Sequence, residues 1–116
     1  MSARRSAFAT GCLCVALCVL ATACDAPQTP AQRALHSLKV GDDYPESRSR
    51  LLAAGWRPVP ARCSEQFICF TEWPEMVTRL ADRETCGVWI AGGDKVMLCL
   101  RPIHDGAMLE SIEPFE

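Results

Sequence analysis

The sequence predicts an α+β fold, in which two short N-terminal helices pack on a three- or four-stranded antiparallel sheet that two disulfides stabilise. Three observations predict it. Two segments with helix-capping residues come early, two β-branched segments flank a Gly-Gly pair later on, and four cysteines lie in the second half of the chain. With 116 residues, 12 Lys plus Arg and 14 Asp plus Glu, the chain is expected to form one small domain and not to bind nucleic acid.

Residues 1–23 have the three parts of a signal peptide. Arg4-Arg5 precedes an apolar run over residues 7–20, and small residues follow. Residues 20–24, Leu-Ala-Thr-Ala-Cys, resemble a bacterial lipobox, in which the chain is cleaved before the cysteine and the cysteine is lipid-modified. Simple cleavage after residues 21–23 and an uncleaved anchor are the alternatives, although about 17 apolar residues are few for a membrane span.

The predicted signal peptide also divides the eight cysteines into those that are removed with it and those that remain. Three lie in its apolar run, and Cys24 is the predicted lipid attachment site. An even number of cysteines in an exported chain predicts disulfides, and four cysteines allow three connectivities. Removal of the predicted signal peptide also removes Arg4-Arg5. The chain from Cys24 onward then has 10 basic and 14 acidic residues, a net charge of −4. The four cysteines available for disulfides are Cys63, Cys69, Cys86 and Cys99.

Residues 24–29 are expected to be a lipid-anchored tether, and residues 30–116 a single small domain. Thr29 can cap a helix that has Pro30 at its first position and Gln32 three residues after the cap, which is a capping box. Apolar residues then recur at helical spacing. The first helix is therefore predicted over residues 30–39, ending before Gly41.

A second helix is predicted over residues 44–54. Asp43 can cap it, and Gly55 supplies a C-terminal stop. Arg48 interrupts an apolar stripe, so its methylenes are expected to lie along the core while its guanidinium reaches a carboxylate or carbonyls at the edge. The residues predicted to share this face are Tyr44, Arg48, Leu51 and Leu52.

The middle of the chain is less regular. A strand is predicted near residues 66–71. Residues 73–77 suit one or two helical turns as well as a loop, because Trp73, Val77 and Leu80 have helical spacing and Pro74 comes early. Trp73 is the candidate partner contact, since an exposed aromatic in such a loop can anchor a partner; the alternative is a ring folded over the sheet.

A hairpin is predicted over the last third. Residues 87–91 and 95–101 flank Gly92-Gly93, and a two-residue turn there makes paired residue numbers sum to 185. Cys86 then faces Cys99 at a non-hydrogen-bonded position, where side chains approach most closely. This predicts a Cys86–Cys99 disulfide and leaves Cys63 to pair with Cys69. A final strand is predicted over residues 108–112.

The sequence predicts no catalytic residue, no cofactor and no metal site. His36 lies on the first predicted helix and His104 in a predicted turn, and no nucleophile motif accompanies either. Cys63 and Cys69 are six residues apart, unlike the Cys-x-x-Cys of redox enzymes. The four cysteines also lack the close pairs usual in zinc sites.

One segment carries a resemblance. Residues 41–58 resemble a motif of small exported proteobacterial proteins, Gly-x-x-Tyr-x-Glu-x-Arg-x-x-Leu-x-x-x-Gly-Trp-x-Pro, which is followed by Pro-Glu and by two cysteines in β-strands. The downstream matches here are Pro74-Glu75, Cys86 and Cys99. The group has no assigned activity, so the resemblance implies an exported, disulfide-stabilised domain and no reaction. The matching residues within the segment are Gly41, Tyr44, Glu46, Arg48, Leu51, Gly55, Trp56 and Pro58.

Together these expectations predict a lipoprotein that faces the periplasm and is held at the membrane through Cys24. It is expected to act as a non-catalytic binding module, with an envelope protein as its partner. The multiple acyl chains of a bacterial lipoprotein anchor a protein stably. The alternatives are a soluble secreted inhibitor or effector and a small hydrolase.

Overall fold

The computed structural model describes residues 27–115. The predicted signal peptide and Cys24 lie outside these residues. Helix α1 (Pro30–Ser37) begins at Thr29, which forms the full capping box with Gln32. Helix α2 (Tyr44–Ala53) begins at Asp43, whose carboxylate accepts a hydrogen bond from the Glu46 amide. Both helices therefore start where the capping residues predict.

The sheet is antiparallel and has six strands, so the predicted kind of fold is confirmed and the predicted number of strands is too low. The strands that the sequence did not predict contain two and three residues, which is too few for an alternating pattern to be recognised. The strands are β1 (Arg57–Pro58), β2 (Phe67–Cys69), β3 (Val77–Arg79), β4 (Thr85–Ala91), β5 (Asp94–Ile103) and β6 (Gly106–Pro114).

The strand order is β2-β3-β4-β5-β6, and β1 pairs with β4. The β4–β5 hairpin has the predicted register, with Cys86 opposite Cys99 and Ala91 opposite Asp94. Gly92 has φ +59°, a left-handed conformation that suits glycine in such a tight turn. The outer edge of β6 is partly covered, because the Gly41 amide donates to the Leu109 carbonyl and the Leu109 amide donates to that of Asp42.

The helices and the turn before β3 cover one face of the sheet and enclose the core. Trp56 is central to it, with its indole N–H donating to the Ala31 carbonyl of α1 (2.7 Å). The core residues are Leu38, Tyr44, Leu51, Trp56, Met76, Trp89, Val96, Leu98, Leu100, Ala107 and Leu109.

The predicted face of α2 needs one correction. Leu52 is 45% exposed, whereas Ser47 is buried and donates to the Asp43 carbonyl. Consecutive helical residues point about 100° apart, so Leu51 and Leu52 do not both face the core. Ser47 lies one turn before Leu51 and shares its buried side.

Residues 73–77 form no helix. A turn is followed by β3, and the Met76 amide donates to the Trp73 carbonyl. The turn lies directly against β4, because Gly87 has no side chain: a Cβ there would be 2.9 Å from the Glu75 carbonyl oxygen. Tertiary contact therefore decides the conformation, and the loop alternative is the one observed.

Within residues 27–115, neither helix has the length and apolar character needed to cross a bilayer.

Candidate functional site

The most polar site in the interior joins α2 to the turn before β3. Tyr44 and Arg48 lie one helical turn apart on α2, so their side chains are neighbours. The Tyr44 hydroxyl donates to Oε2 of Glu75 at 2.5 Å. Arg48 donates from Nε to Oε2 at 2.8 Å and from Nη2 to Oε1 at 3.0 Å. We call these three residues the Glu75 cluster.

Burial and charge act on each member of the Glu75 cluster. Burial alone would raise the pKa of the Glu75 carboxyl, but the hydrogen bonds from Arg48 and Tyr44 outweigh it and hold that pKa below its usual value. Burial, and then the neighbouring carboxylate, raise the pKa of Tyr44. The bond to Glu75 raises the pKa of Arg48. At neutral pH the cluster is thus an ion pair with a neutral phenol.

The geometry of the Glu75 cluster favours structural support over chemistry. Both carboxylate oxygens accept hydrogen bonds, and the Glu75 side chain is fully buried. The Arg48 guanidinium also lies 5.8 Å from the centre of the Trp89 ring, which is a cation–π contact. The cluster fixes the turn at residues 73–76 to α2.

The second site is a groove on the opposite face of the sheet, which neither α1 nor α2 covers. It has a volume of about 420 Å³, and a smaller hollow of about 110 Å³ adjoins it across Phe67, Val77, Cys86 and Met97. Its lining is apolar and half-buried. We call it the open-face groove; its main lining residues are Val59, Phe67, Val77, Cys86, Val88 and Met97.

Most of the charged side chains on the face of the open-face groove are basic. Arg62 lines it directly. The strand register places Arg57 opposite Ile90, on the same face as Val88, and Arg101 on the same face as Cys99. It also places Lys95 and one carboxylate, Glu113, on this face, because Lys95 pairs with Ile90 and Glu113 pairs with Met97. Among the described residues none of these three arginines takes part in an ion pair.

A third hollow, of about 500 Å³, lies between α1 and the strands β5 and β6. Its floor is apolar and includes Leu35, Trp56 and Ile112, and His36 stands at its rim. The His36 Nδ1 is 2.6 Å from the Gln28 amide nitrogen and is therefore already engaged. The other histidine, His104, is 95% exposed in the β5–β6 turn. The structure does not bring the two histidines together.

The cysteines of the described chain form two disulfides, Cys63–Cys69 and Cys86–Cys99. Glu84 lies close to the second one. Both sulfurs there are in the disulfide and are not thiolate ligands, so this group of residues is not a metal site in the oxidised protein.

Trp73, the candidate partner contact, is half-buried at the edge of the core. Its ring packs edge-on against Tyr44, with centroids 5.1 Å apart, and stacks on Phe70 at 6.1 Å. These contacts correspond to the alternative of a ring folded over the interior. Contact with a partner stays a prediction for this residue.

The sequence reasoning missed the role of Glu75 and the open-face groove. One signal pointed to the first: Pro74-Glu75 follows the motif of residues 41–58. In the fold that motif supplies Tyr44 and Arg48 to the Glu75 cluster, and Leu51 and Trp56 to the core. The motif therefore describes the structural framework of the domain.

The fold and its sites define a small, disulfide-stabilised α+β domain with its helices on one side of an antiparallel sheet. Comparison with protein-family models, with curated proteins and with solved structures finds no match.

Proposed function

We propose that the protein is a cell-envelope lipoprotein, anchored through Cys24, whose domain acts by binding another envelope protein. The observation that carries the proposal is the open-face groove, a half-buried apolar surface on the side of the sheet that the helices leave free. Apolar concave surfaces with a polar rim are typical of interaction sites. Catalysis receives less support, because the buried polar groups of the Glu75 cluster are bonded to one another.

The lipid anchor is tested by the intact mass of the exported protein, measured without reduction after expression in a Gram-negative host. We expect a chain that starts at Cys24, carries added acyl mass and lacks four hydrogens because of its two disulfides. A bare chain that starts at Cys24 would support the soluble secreted alternative. A full-length mass would support an uncleaved anchor.

Binding is tested by photo-crosslinking in the same host. A photoreactive amino acid replaces Met97 in the groove, and a matched variant carries it at Leu52, which is exposed on α2 on the helical side of the domain. We expect one protein, identified by mass spectrometry, to be captured from position 97 and not from position 52. Equal capture from both positions, or none from position 97, contradicts the proposal.

A further inference from the structure

We infer that the occupant of the open-face groove is a polypeptide segment that carries apolar side chains flanked by carboxylates. This inference rests on the proposed function and adds the chemistry of the partner. Three observations carry it: the shape of the groove, the charge around it, and the poor fit of the other occupants.

The shape favours a chain segment. The two adjoining hollows share Phe67, Val77, Cys86 and Met97 and so form one depression across β2, β3, β4 and β5. It extends from Val59 and Arg62 at one end to Arg79 and Glu84 at the other. Elongated apolar depressions take up side chains from an extended or helical segment, which provides affinity through buried area.

The charge favours carboxylates. From Cys24 onward the chain has a net charge of −4, yet this face holds four basic residues, Arg57, Arg62, Lys95 and Arg101, against one further carboxylate, Glu113. None of these five side chains forms an ion pair among residues 27–115. Arg79 differs, because Asp82 and Glu84 already neutralise it. A carboxylate beside Arg62 would form a bidentate pair at the rim of an apolar surface.

The shape and charge of the open-face groove also disfavour a second copy of this chain or a membrane as its occupant. Two copies placed face to face would bring two predominantly basic surfaces together, which costs free energy. Proteins that lie on a bilayer insert projecting apolar side chains, whereas Val88 and Met97 are half-buried in a depression.

The test uses two labelled peptides with the same Leu-Phe centre, one flanked by glutamates and one by lysines. Their binding to the exported full chain, in micelles of an uncharged detergent, is measured by fluorescence anisotropy. Arg62→Glu is the test variant. Arg33→Glu on α1 is its control, because Arg33 is also exposed and lies on the helical side. Val88→Glu, with circular dichroism to verify folding, tests the apolar floor.

We expect the glutamate-flanked peptide to bind saturably and the lysine-flanked peptide not to bind. Arg62→Glu should weaken binding of the glutamate-flanked peptide about tenfold, as expected for reversed charge at an interface, and Arg33→Glu should leave it unchanged. Equal binding of both peptides, or binding indifferent to Arg62→Glu, overturns the inference. Binding to vesicles that contain anionic lipid, lost in Arg62→Glu, overturns it in favour of a membrane surface, and a dimer in sedimentation overturns it in favour of a second copy. If an envelope protein is captured from position 97 while the acidic peptide does not bind, the proposed function stands and this inference fails.

Discussion

A carboxylate that is fully buried and still ionised needs donors from more than one direction, and Glu75 has them in Tyr44 and Arg48. The pair is worth less than its Coulomb attraction, because desolvation opposes it. Removing one member of the pair is nevertheless destabilising, because the other member stays desolvated without an opposite charge. The Glu75 cluster therefore makes the position of the turn at residues 73–76 depend on one side chain.

Glu75→Gln should lower the free energy of unfolding by about 3 kcal/mol, because the Arg48 charge loses its ionised partner in a buried setting. Urea unfolding followed by tryptophan fluorescence measures it. Glu72→Gln is the matched control, since Glu72 is exposed three residues earlier, and it should change the free energy by less than about 0.5 kcal/mol. Equal effects of the two substitutions would contradict the role of the Glu75 cluster.

The Glu75 cluster also predicts how stability depends on pH. The pKa of the Glu75 carboxyl is lower in the folded than in the unfolded chain, where it is about 4.3. Its contribution is therefore fully present above that value and is lost as the pH falls through the lower, folded pKa. We expect Glu75→Gln to lose less stability than the wild type between about pH 5 and pH 2, as measured by thermal unfolding across that range. Parallel curves would contradict the prediction.

Gly87 is the second residue whose identity the fold requires. Gly87→Ala places a Cβ within 2.9 Å of the Glu75 carbonyl oxygen and of the Met76 side chain. The turn must move away from β4, which we expect to cost about 1–3 kcal/mol, the usual range for overpacking. Gly93→Ala is the control, because nothing lies within 4 Å of a Cβ there and Gly93 has no positive φ. Unfolding midpoints of the two variants measure the difference, and equal midpoints would refute it.

At the scale of the elements, the two disulfides differ in the length of chain that they close. The Cys86–Cys99 disulfide joins residues 13 positions apart, on the central strands β4 and β5. The Cys63–Cys69 disulfide joins residues six positions apart. By loop-closure entropy the first should stabilise the domain by about 3 kcal/mol and the second by about 2 kcal/mol. Replacing each pair by alanines should lower the melting temperature more for the Cys86–Cys99 pair. Calorimetry of the two double variants tests the order, and the reverse order would contradict it.

The elements also show how far the sequence could predict this fold. Local signals were sufficient where the structure is local: the capping residues located both helices, and Gly92-Gly93 set the register that brings Cys86 to Cys99. They were insufficient for β1 and β3, which exist because they pair with β4. The open-face groove was unpredictable for the same reason, since it requires knowing which side of the sheet the helices cover.

At the scale of the whole molecule, the described chain closes its core with residues from both of its ends. Leu35 of α1 packs against the buried cluster, as does Ile112 of β6, and Trp56 lies between the two ends and is bonded to Ala31. Helix α1 itself has no fully buried residue. It acts as a cover for Trp56 and the neighbouring core.

This arrangement predicts where the chain tolerates shortening. A chain of residues 27–116 should unfold in one cooperative transition, whereas a chain of residues 39–116 should lose about 3 kcal/mol or more, because Leu35 and Leu38 no longer bury their side chains. The shorter chain should also show a red-shifted tryptophan emission, since Trp56 loses both its cover and its hydrogen bond to Ala31. Urea titrations of the two chains measure both effects. Identical midpoints and emission maxima would mean that the sheet and α2 alone bury Trp56, and α1 would then be an accessory to the domain and not its cover.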